Sequence, residues 1–484
     1  MCGLIAITGT AGSAYEVFFG LMNLQHRGQD GAGILSIDSR KASGFHLTKG
    51  SGLVENVFSE RSFKSLTGSA ALGHSRYATV GRNDPNLLQP FLNYERGLGL
   101  AHNGNIVNFY ALREELYRSR RDKAPWVESD SELILRLLSL ELPEGPIGAD
   151  GVFGAVSKLM STIVGSYSII CLTKEGDIFG FRDPNGIRPL VFGKREQEDG
   201  TTVYAFASET IALDFLGFRD TEEVRPGEVV FITHDSKVMR KVIRQETIAP
   251  CMFEWVYFAR VESEFEGVSV YNARFKLGQI LARRLKDEGL TADVVVPVPE
   301  TSRASAIAMA EELKIPFREL LIKNRYVNRT FILDDQESRQ EAVRRKLHPI
   351  GHEFEGKSCL IVDDSIVRGN TARQIVKLVR QAGAREVILV STCPPIAHPC
   401  YYGIDFPSPQ ELIAHDQNDE EIATALGVDR VIFQTLDGLK SALDHQKLCT
   451  GCLTGEYPTD ISSGRDFEAM RLKDRDAVLK KSSC

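Results

Sequence analysis

The sequence predicts a mixed α and β domain followed by an α/β domain with a mostly parallel sheet, and three observations support this. Residues 2–240 read as short β-type runs separated by glycine turns, with helical patterns in no strict alternation. A polar, charged stretch at 234–250 is where we place the linker. From about residue 252, continuous apolar runs alternate with amphipathic helices, as in a parallel sheet covered on both faces. The predicted domains are therefore 2–240 and 250–460, followed by a charged, helix-like tail at 461–484.

The local patterns place the individual elements in each domain. In the first domain, the predicted strands are Leu4–Thr8, Ile34–Ile37, Ala70–His74, Ser168–Thr173, Val203–Ala207 and Glu228–Thr233, and the predicted helices are 13–26, 105–120, 129–141 and 151–163. In the second domain, the predicted strands are Asp293–Val298, 317–323, Cys359–Val362 and Glu386–Thr392, and the predicted helices are 272–287, 302–313 and 370–382.

The composition is that of an ordinary globular protein and excludes several classes. The chain has 484 residues, of which 43% are hydrophobic and 25% charged, enough for two to four domains. A net charge of -7 argues against a general binder of nucleic acid or anionic membranes. We find no long apolar run and no basic start typical of a secretory signal, so we expect a cytoplasmic protein without a membrane span. Nine cysteines are too few for a disulfide scaffold, which leaves catalytic or metal-binding roles for them.

The first candidate catalytic residue is Cys2. Met1 is normally removed before a small residue, so we expect the mature chain to begin with this cysteine. A free α-amine titrates near about 7.7–8.0 and can take the proton of the thiol beside it. A cysteine at this position by chance is the alternative.

Four polar motifs accompany this cysteine in the first domain. They are Gln25–Gly33 between a helix and a strand, Gly73–Thr79 at a strand end, Ala101–Asn105 at another strand end, and Glu128–Glu132 at a helix start. Taken singly, each is explained by a turn, a surface ion pair or a helix cap.

Together with Cys2, these motifs resemble the glutamine amidohydrolase domain of the N-terminal-nucleophile amidotransferases. The resemblance covers essentially all of 2–240 and implies a four-layer αββα fold. It implies Cys2 as the nucleophile, with the Asn103 side chain and the Gly104 backbone N–H as the oxyanion hole. The implied glutamine-binding residues are Arg76 for the α-carboxylate, Asp130 for the α-ammonium, and Arg27 and Gly28 for the pocket wall.

The second constellation is an apolar strand that runs into two acids, a Gly/Ser/Thr loop and a helix. It spans Leu360–Thr371, with the acids at Asp363 and Asp364. Backbone N–H groups at such a helix start cradle phosphate, and vicinal acids can grip two ribose hydroxyls. A strand–turn–helix with an acidic cap is the alternative. No P-loop motif is found.

This constellation resembles the fingerprint of the type I phosphoribosyltransferases. Val296–Arg303 resembles their pyrophosphate loop, and the polar stretch from Lys323 to about 348 resembles their flexible loop. The residues implied to bind phosphoribosyl pyrophosphate (PRPP) are Glu300, Thr301, Ser302, Lys323, Arg329, Asp363, Asp364, Ser365, Arg368, Gly369, Asn370 and Thr371. Mg²⁺ is expected on the hard pyrophosphate oxygens, with Ser302, Asp363 and Asp364 as candidate contacts. Asn370 stands where many relatives have Thr, which puts its side-chain contact in doubt.

The two halves in this order resemble the glutamine phosphoribosylpyrophosphate amidotransferase family, as do the stretches Phe181–Leu190 and Glu254–Arg260. The resemblance implies conversion of glutamine and PRPP into glutamate, phosphoribosylamine and pyrophosphate, the first committed step of purine synthesis. It further implies ammonia passing internally, a homo-oligomer (usually a tetramer), and inhibition by purine nucleotides. The alternatives are another N-terminal-cysteine amidotransferase, of the glucosamine-phosphate or asparagine synthase type, and a non-catalytic PRPP-sensing regulator.

Four cysteines match the cluster ligands of a subgroup of this family that carries a 4Fe–4S cluster. They are Cys251, Cys393 and the CxxC pair Cys449 and Cys452. Tetrahedral zinc or plain thiols are the alternatives. Cluster-bearing relatives commonly have a propeptide before the catalytic cysteine, whereas here only Met1 precedes it, so we expect maturation by methionine removal alone.

Overall fold

A computed structural model describes residues 1–38, 44–77, 84–119, 127–324, 347–406 and 408–464. Arg329, most of the predicted flexible loop and the tail from residue 465 lie outside these residues. Across the described ranges, no helix has the length and apolar character required to cross a membrane.

The first domain is built on two stacked antiparallel sheets. The seven-stranded sheet has the order Arg219–Glu223, Val191–Glu196, Thr202–Ala207, Gly3–Thr8, Ala70–Arg76, Gly31–Ile37 and Phe45–Ser51. The six-stranded sheet has the order Val238–Val242, Glu228–Ile232, Ile178–Arg182, Gly165–Thr173, Leu98–Ile106 and Phe91–Asn93. Apolar side chains such as Leu4 and Ala6 from one sheet and Ile170 and Val230 from the other form the core between them.

Helices cover the outer face of each sheet, which confirms the four-layer αββα arrangement. Ser13–Asn23, Val54–Val57, Glu60–Ser65 and Thr210–Phe215 lie on the seven-stranded sheet. Phe109–Ser119, Asp130–Glu141 and Ala149–Thr162 lie on the six-stranded sheet. Their buried apolar residues recur at helical spacing, so each helix turns one face to its sheet.

Two predicted boundaries in this domain are wrong. The stretch 234–250, predicted as linker, contains the edge strand Val238–Val242, which pairs with Glu228–Ile232. An edge strand tolerates charged residues because one side faces solvent, so its polar sequence concealed it. The helix predicted from 105 begins at Phe109, because Asn105 and Ile106 continue the strand Leu98–Ile106 and pair with Gly165–Thr173.

The second domain contains a four-stranded sheet in which all neighbours are parallel. The strands, in spatial order, are Val294–Pro297, Ser358–Asp363, Glu386–Ser391 and Arg430–Phe433. Helices Val270–Asp287 and Arg303–Leu313 cover one face, and Asn370–Gln381 and Asp419–Leu426 cover the other. Two-stranded sheets pair Leu321–Lys323 with Leu347–Pro349 and Glu264–Phe265 with Val268–Ser269, and short helices Leu436–Ala442 and Gly451–Thr454 follow. The continuous apolar strands are buried on both faces, as the sequence predicted.

A shared apolar core joins the two domains. It contains Met1, Val107 and Ile187 from the first domain. These residues pack with side chains from 249–277 and 393–461. The junction is therefore a packed interior that residues of both domains share.

Candidate functional site

Cys2 lies at the start of a central strand in the seven-stranded sheet. Gly3, the next residue, is paired with Ser75, which brings Arg76 level with Cys2. The backbone N–H of Cys2 donates to Asn103 Oδ1 at 3.1 Å, across from the other sheet. The cysteine, the arginine and the asparagine that the sequence predicted from separate motifs therefore meet at one end of the sheet stack.

Asn103 and Gly104 present the features of an anion-binding pair. Asn103 is buried, and its Nδ2 has no hydrogen-bond partner among the described residues. Gly104 has φ of 155°, and a Cβ there would lie 2.0 Å from the Ser166 carbonyl oxygen. Because a side chain cannot be accommodated, this position requires glycine. The free amide donor of Asn103 can therefore turn to a developing negative charge.

Arg76 and Asp130 place opposite charges close to Cys2. Burial lowers the pKa of Arg76, while the charges of Cys2 and Asp130 act in the opposite direction. Asp130 begins a helix whose N-cap is Ser129. Burial opposes its ionisation, but contacts with His102 and Ser131 outweigh burial and hold the pKa of Asp130 below its usual value. A cationic and an anionic group in one pocket suit the two ends of a free amino acid.

Arg27 is fully buried and held by two carboxylates. Its Nε donates to the Cys2 carbonyl oxygen at 3.1 Å. Nη1 donates to Glu209 at 2.5 Å, and Nη2 donates to both oxygens of Glu254 at 2.9 and 3.0 Å. Burial alone disfavours the charge, but the two carboxylates raise the pKa of Arg27. A Cβ on Gly28 would lie 2.5 Å from the Arg76 carbonyl carbon, so glycine permits this close approach.

A segment of the second domain packs directly on this pocket. A Cβ on Gly403, whose φ is 94°, would lie 2.8 Å from the Gly104 carbonyl oxygen. The Asn105 side chain donates to the Tyr401 carbonyl oxygen at 2.8 Å. The Tyr402 carbonyl oxygen accepts from Arg188 Nε at 3.0 Å. The glutaminase-like pocket is thus completed by residues far beyond its own sheets.

The paired acids stand at the carboxyl end of a central parallel strand, the usual place for a ligand in such sheets. Asp363 ends strand Ser358–Asp363, and Asp364 follows. The Asp364 N–H donates to Asp363 Oδ1 at 2.9 Å, and the Ser365 hydroxyl donates to Asp364 Oδ1 at 2.7 Å. Burial raises the pKa of Asp363, and the neighbouring Asp364 charge raises it further. A bound cation would stabilise the ionised form of two buried acids that lie side by side.

The loop after the acids leads into a helix N-terminus. Gly369 is the N-cap of helix Asn370–Gln381, with φ of 73°, a conformation that favours glycine. The Asn370 side-chain oxygen accepts from Arg373 Nη1 at 2.9 Å. Arg368 pairs with Glu411 at 3.2 Å. Thr371 begins the helix with Asn370, so the predicted phosphate loop has the expected strand–loop–helix context.

The remaining predicted PRPP residues lie at different depths. Ser302 is buried, and its hydroxyl donates to the Val298 carbonyl oxygen at 2.5 Å. Burial raises the pKa of Asp364, and the nearby Thr301 side chain opposes that rise, so the predicted pyrophosphate loop lies beside the acids. Glu300 is exposed. Lys323 is exposed on the two-stranded sheet Leu321–Lys323 and Leu347–Pro349, with no contact to the acids among the described residues.

The four predicted cluster cysteines share the interdomain core and are all buried. Cys251 and Cys449 lie side by side in an isolated parallel β-bridge. The Cys452 carbonyl oxygen accepts from the backbone of His398 at 3.0 Å. Burial raises the pKa of the Cys251 thiol to about 11. Within the part of the chain that the structure describes, no group of three or more His, Cys, Asp or Glu residues is placed to hold a metal ion.

Sequence reasoning missed the buried charges that organise the first pocket. Glu209 is fully buried and accepts from His26 at 2.6 Å and from the Ser263 hydroxyl at 2.8 Å. Burial opposes its charge, but His26 and Arg27 lower the pKa of Glu209. The one signal in the sequence for these buried charges is the stretch Glu254–Arg260, which contains one of the two acids and resembles the family. A surface cavity of about 640 Å³, lined by Pro143, Phe153, Arg240 and neighbours, includes none of the predicted residues.

Comparison with known families assigns both halves. Residues 60–243 match the family described as a glutamine amidotransferase domain, and residues 270–405 match the family described as a phosphoribosyl transferase domain. The fold and the two sites thus define an enzyme in which a glutamine amidotransferase domain precedes a phosphoribosyltransferase domain.

Relatives of known name match along nearly the whole chain. The amidophosphoribosyltransferase of Pasteurella multocida is 42% identical, over 99% of this chain and 98% of that protein. The amidophosphoribosyltransferase of Saccharomyces cerevisiae is 40% identical, over 96% and 94%. The structure of glutamine PRPP amidotransferase from B. subtilis complexed with ADP and GMP superposes with a TM-score of 0.83 and 37% identity, covering 95% of this chain and 98% of that one. The chain belongs to the amidophosphoribosyltransferase family.

Proposed function

We propose that this enzyme releases ammonia from glutamine at Cys2 and adds it to PRPP at the paired acids Asp363 and Asp364. The products are glutamate, 5-phosphoribosylamine and pyrophosphate, as in the first step of purine synthesis. The observation that carries the proposal is the bond from the Cys2 N–H to Asn103 Oδ1, beside an Asn103 Nδ2 that has no hydrogen-bond partner among the described residues. In the second domain, a parallel strand ends at Asp363 and is followed directly by Asp364.

At the first site, the Cys2 thiolate attacks the glutamine side-chain amide once Met1 has been removed. The freed α-amine takes the thiol proton and passes it to the leaving ammonia. Asn103 Nδ2 and the Gly104 N–H stabilise the oxyanion, and water then hydrolyses the thioester to glutamate. Arg76 binds the α-carboxylate and Asp130 the α-ammonium. Arg27 and Gly28 form the wall, with Arg27 fixing the Cys2 backbone.

At the second site, Asp363 and Asp364 hold the ribose hydroxyls, and the loop that contains Ser365, Arg368, Gly369, Asn370 and Thr371 holds the 5-phosphate at the helix start. Glu300, Thr301 and Ser302 contact pyrophosphate, together with Lys323 and Arg329. The buried acids and the Ser302 hydroxyl suit Mg²⁺, which would neutralise charge on the departing pyrophosphate. Ammonia then attacks the anomeric carbon as pyrophosphate leaves.

The apolar core at the domain junction supports internal transfer of ammonia. Val107, Phe253 and Phe406 belong to this core, which both domains share. An apolar surrounding keeps ammonia unprotonated, and only the unprotonated form is a nucleophile. Linking the two reactions in one chain raises the effective concentration of ammonia at the acceptor.

We also propose that Cys251, Cys393, Cys449 and Cys452 bind a 4Fe–4S cluster. Their common burial in one core supports this, and a cubane spreads its four ligands further apart than a single ion does. The cluster would tie the domain junction, a sheet end and the C-terminal segment together. Iron and sulfide content with the visible absorption of protein purified without oxygen tests the proposal. Colourless, iron-free protein refutes it, and stoichiometric zinc supports the alternative.

Purine nucleotides as inhibitors and a homotetramer remain proposals drawn from the family. The related B. subtilis structure was obtained as a complex with ADP and GMP. Inhibition of pyrophosphate release by AMP, ADP and GMP tests the first, and light scattering of the purified protein tests the second. A mass other than four chains contradicts the tetramer.

A coupled assay for glutamate and pyrophosphate tests the central proposal. Cys2→Ala should abolish glutamine-dependent synthesis and retain synthesis from high external ammonia. Asp364→Ala should abolish both syntheses. Cys171→Ala, which changes a buried thiol of the six-stranded sheet, is the matched control and should retain both. Full glutamine-dependent synthesis by Cys2→Ala contradicts the assigned nucleophile, and intact mass establishes whether Met1 has been removed.

A further inference from the structure

A short π-helix, Glu254–Phe258, lies at the junction of the two domains. The Ala259 N–H donates to the Glu254 carbonyl oxygen at 2.9 Å, the spacing that defines this helix type. Glu254, Trp255 and Val256 are buried. Such single π-turns are frequent at functional sites. The contacts at its two ends reach toward different sites.

The first residue of the π-helix, Glu254, is linked to the nucleophile Cys2 through Arg27. Glu254 accepts from Arg27 with both carboxylate oxygens at 2.9 and 3.0 Å, and Arg188 approaches it at 3.5 Å. Arg27 in turn donates to the Cys2 carbonyl oxygen at 3.1 Å. Only one side chain therefore separates the π-helix carboxylate from the main chain of the cysteine.

One arginine of the second domain binds backbone carbonyl groups in the π-helix and directly after it. Arg274 lies on helix Val270–Asp287 and is 4% exposed. It donates to the carbonyl oxygens of Trp255 at 2.8 Å, Tyr257 at 3.2 Å and Ala259 at 2.8 Å. These carbonyls lack partners within a helix that ends here, and a guanidinium fork can satisfy several of them at once.

The same arginine is connected to the PRPP site by two routes. Its carbonyl oxygen accepts from the Ser305 hydroxyl at 2.7 Å. Ser305 lies in helix Arg303–Leu313, which begins directly after the pyrophosphate loop. Its guanidinium charge also interacts with the Asp364 carboxylate. Arg274 thus contacts the scaffold of the second site and the π-helix together.

We propose that Arg274 is a positioning residue that couples the two reactions. It fixes the π-helix Glu254–Phe258, so that PRPP bound near Asp364 sets the position of Cys2 through Glu254 and Arg27. This inference rests on the proposed function. PRPP can change the reaction at Cys2 only if an element between the two sites is positioned differently in the PRPP-bound and the PRPP-free enzyme. The π-helix is such an element, because buried hydrogen bonds attach it to Arg27 on one side and to Arg274 on the other.

The test compares glutamate release with and without saturating PRPP in the full-length enzyme. The wild-type protein should release glutamate several-fold faster with PRPP. In Arg274→Gln this ratio should fall by about fivefold or more, or to one, since couplings of this kind are typically about 5–150-fold. Glutamate release without PRPP should stay within about twofold. Arg274→Lys keeps the charge but cannot span three carbonyls, so it should show an intermediate ratio.

Arg284→Gln is the matched control. Arg284 lies on the same helix and donates to the Phe433 carbonyl oxygen at 2.9 Å, away from the π-helix. Its ratio should equal that of the wild type. Thermal unfolding of each variant identifies a fold defect, and if Arg274→Gln does not fold, Arg274→Lys decides. Wild-type protein lacking either activity refutes the proposed function. Both activities with an unchanged ratio in the Arg274 variants, or a wild-type ratio of one, overturn only this inference.

Discussion

Asn103→Ala should separate catalysis from stability. The substitution removes the 3.1 Å bond between the Cys2 N–H and Asn103 Oδ1, a loss of about 1 kcal/mol. It also removes a buried Nδ2 that has no partner among the described residues, a group whose burial costs about 1–3 kcal/mol. These changes oppose each other, so we expect the free energy of unfolding to change by no more than about 2 kcal/mol.

The effect on glutamine hydrolysis should be much larger. Removing one oxyanion donor typically costs about 2.7–4 kcal/mol of transition-state stabilisation, or roughly 10²–10³ in kcat. The Gly104 N–H remains, so residual activity should be measurable. Synthesis from external ammonia bypasses this step and should retain the wild-type rate.

The assay measures kcat for glutamate release, ammonia-dependent pyrophosphate release and the thermal midpoint. Asn103→Asp keeps an acceptor for the Cys2 N–H but replaces the donor with oxygen, and it should lose at least as much kcat. Asn108→Ala is a control, since the described hydrogen bonds of the Asn108 side chain go to the backbone of Thr162 and Val164. A kcat within about threefold of wild type, or an equal fall in both syntheses, refutes the reasoning.

Three further predictions concern the surroundings of this pocket. Gly403→Ala should lower kcat for glutamate release by at least about tenfold and leave ammonia-dependent synthesis nearly unchanged, because the new Cβ would press on the Gly104 carbonyl oxygen. A variant that matches the wild-type rate in both assays contradicts this. Glu254→Gln should destabilise the protein by about 1.5–3 kcal/mol, seen as a lower thermal midpoint, since Arg27 loses a charged acceptor; an unchanged midpoint argues against it. Burial lowers the pKa of His74 to about 3, so unfolding takes up a proton below about pH 6.5 and stability falls as the pH falls from about 6.5 to 3. The wild-type protein should therefore lose about 2 kcal/mol of its free energy of unfolding between pH 6.5 and 5 through this group, and His74→Leu should not show that part of the loss. Urea unfolding at both pH values measures it, and a variant with the wild-type pH dependence refutes the prediction.

The sequence predicted those parts of the protein that local patterns encode. Those strands and helices that the sequence predicted follow from apolar periodicity, and the short motifs around Cys2, Asn103 and Asp363 were sufficient to nominate candidate site residues. The buried ion pairs could not be predicted in this way. Arg27 lies 182 residues from Glu209 and 227 from Glu254, and neither acid has a local pattern that sets it apart from a surface glutamate. Only the fold brings them together.

The edge strand and the cysteines show the same limit. Val238–Val242 looks like linker because an exposed edge accepts charge, and only its pairing with Glu228–Ile232 identifies it. The CxxC pair was visible in the sequence, and Cys251 was grouped with it only through the family resemblance, because the adjacency of Cys251 to Cys449 depends on the packing of the domain junction. Long-range pairing, more than composition, decided these positions.

Between them, the buried arginines Arg27 and Arg188 have hydrogen-bond acceptors in both halves of the chain, and this has a consequence for protein synthesis. When the last strand of the first domain, Val238–Val242, has left the ribosome, Arg27 has Glu209 but still lacks Glu254. At the same point, Arg188 lacks both Glu254 and the Tyr402 carbonyl oxygen. A buried guanidinium without its acceptors is strongly destabilising, and chains emerge from the N-terminus first. We therefore expect the nucleophile pocket of a nascent chain to reach its full stability only after the segments that contain Glu254 and Tyr402 have been made.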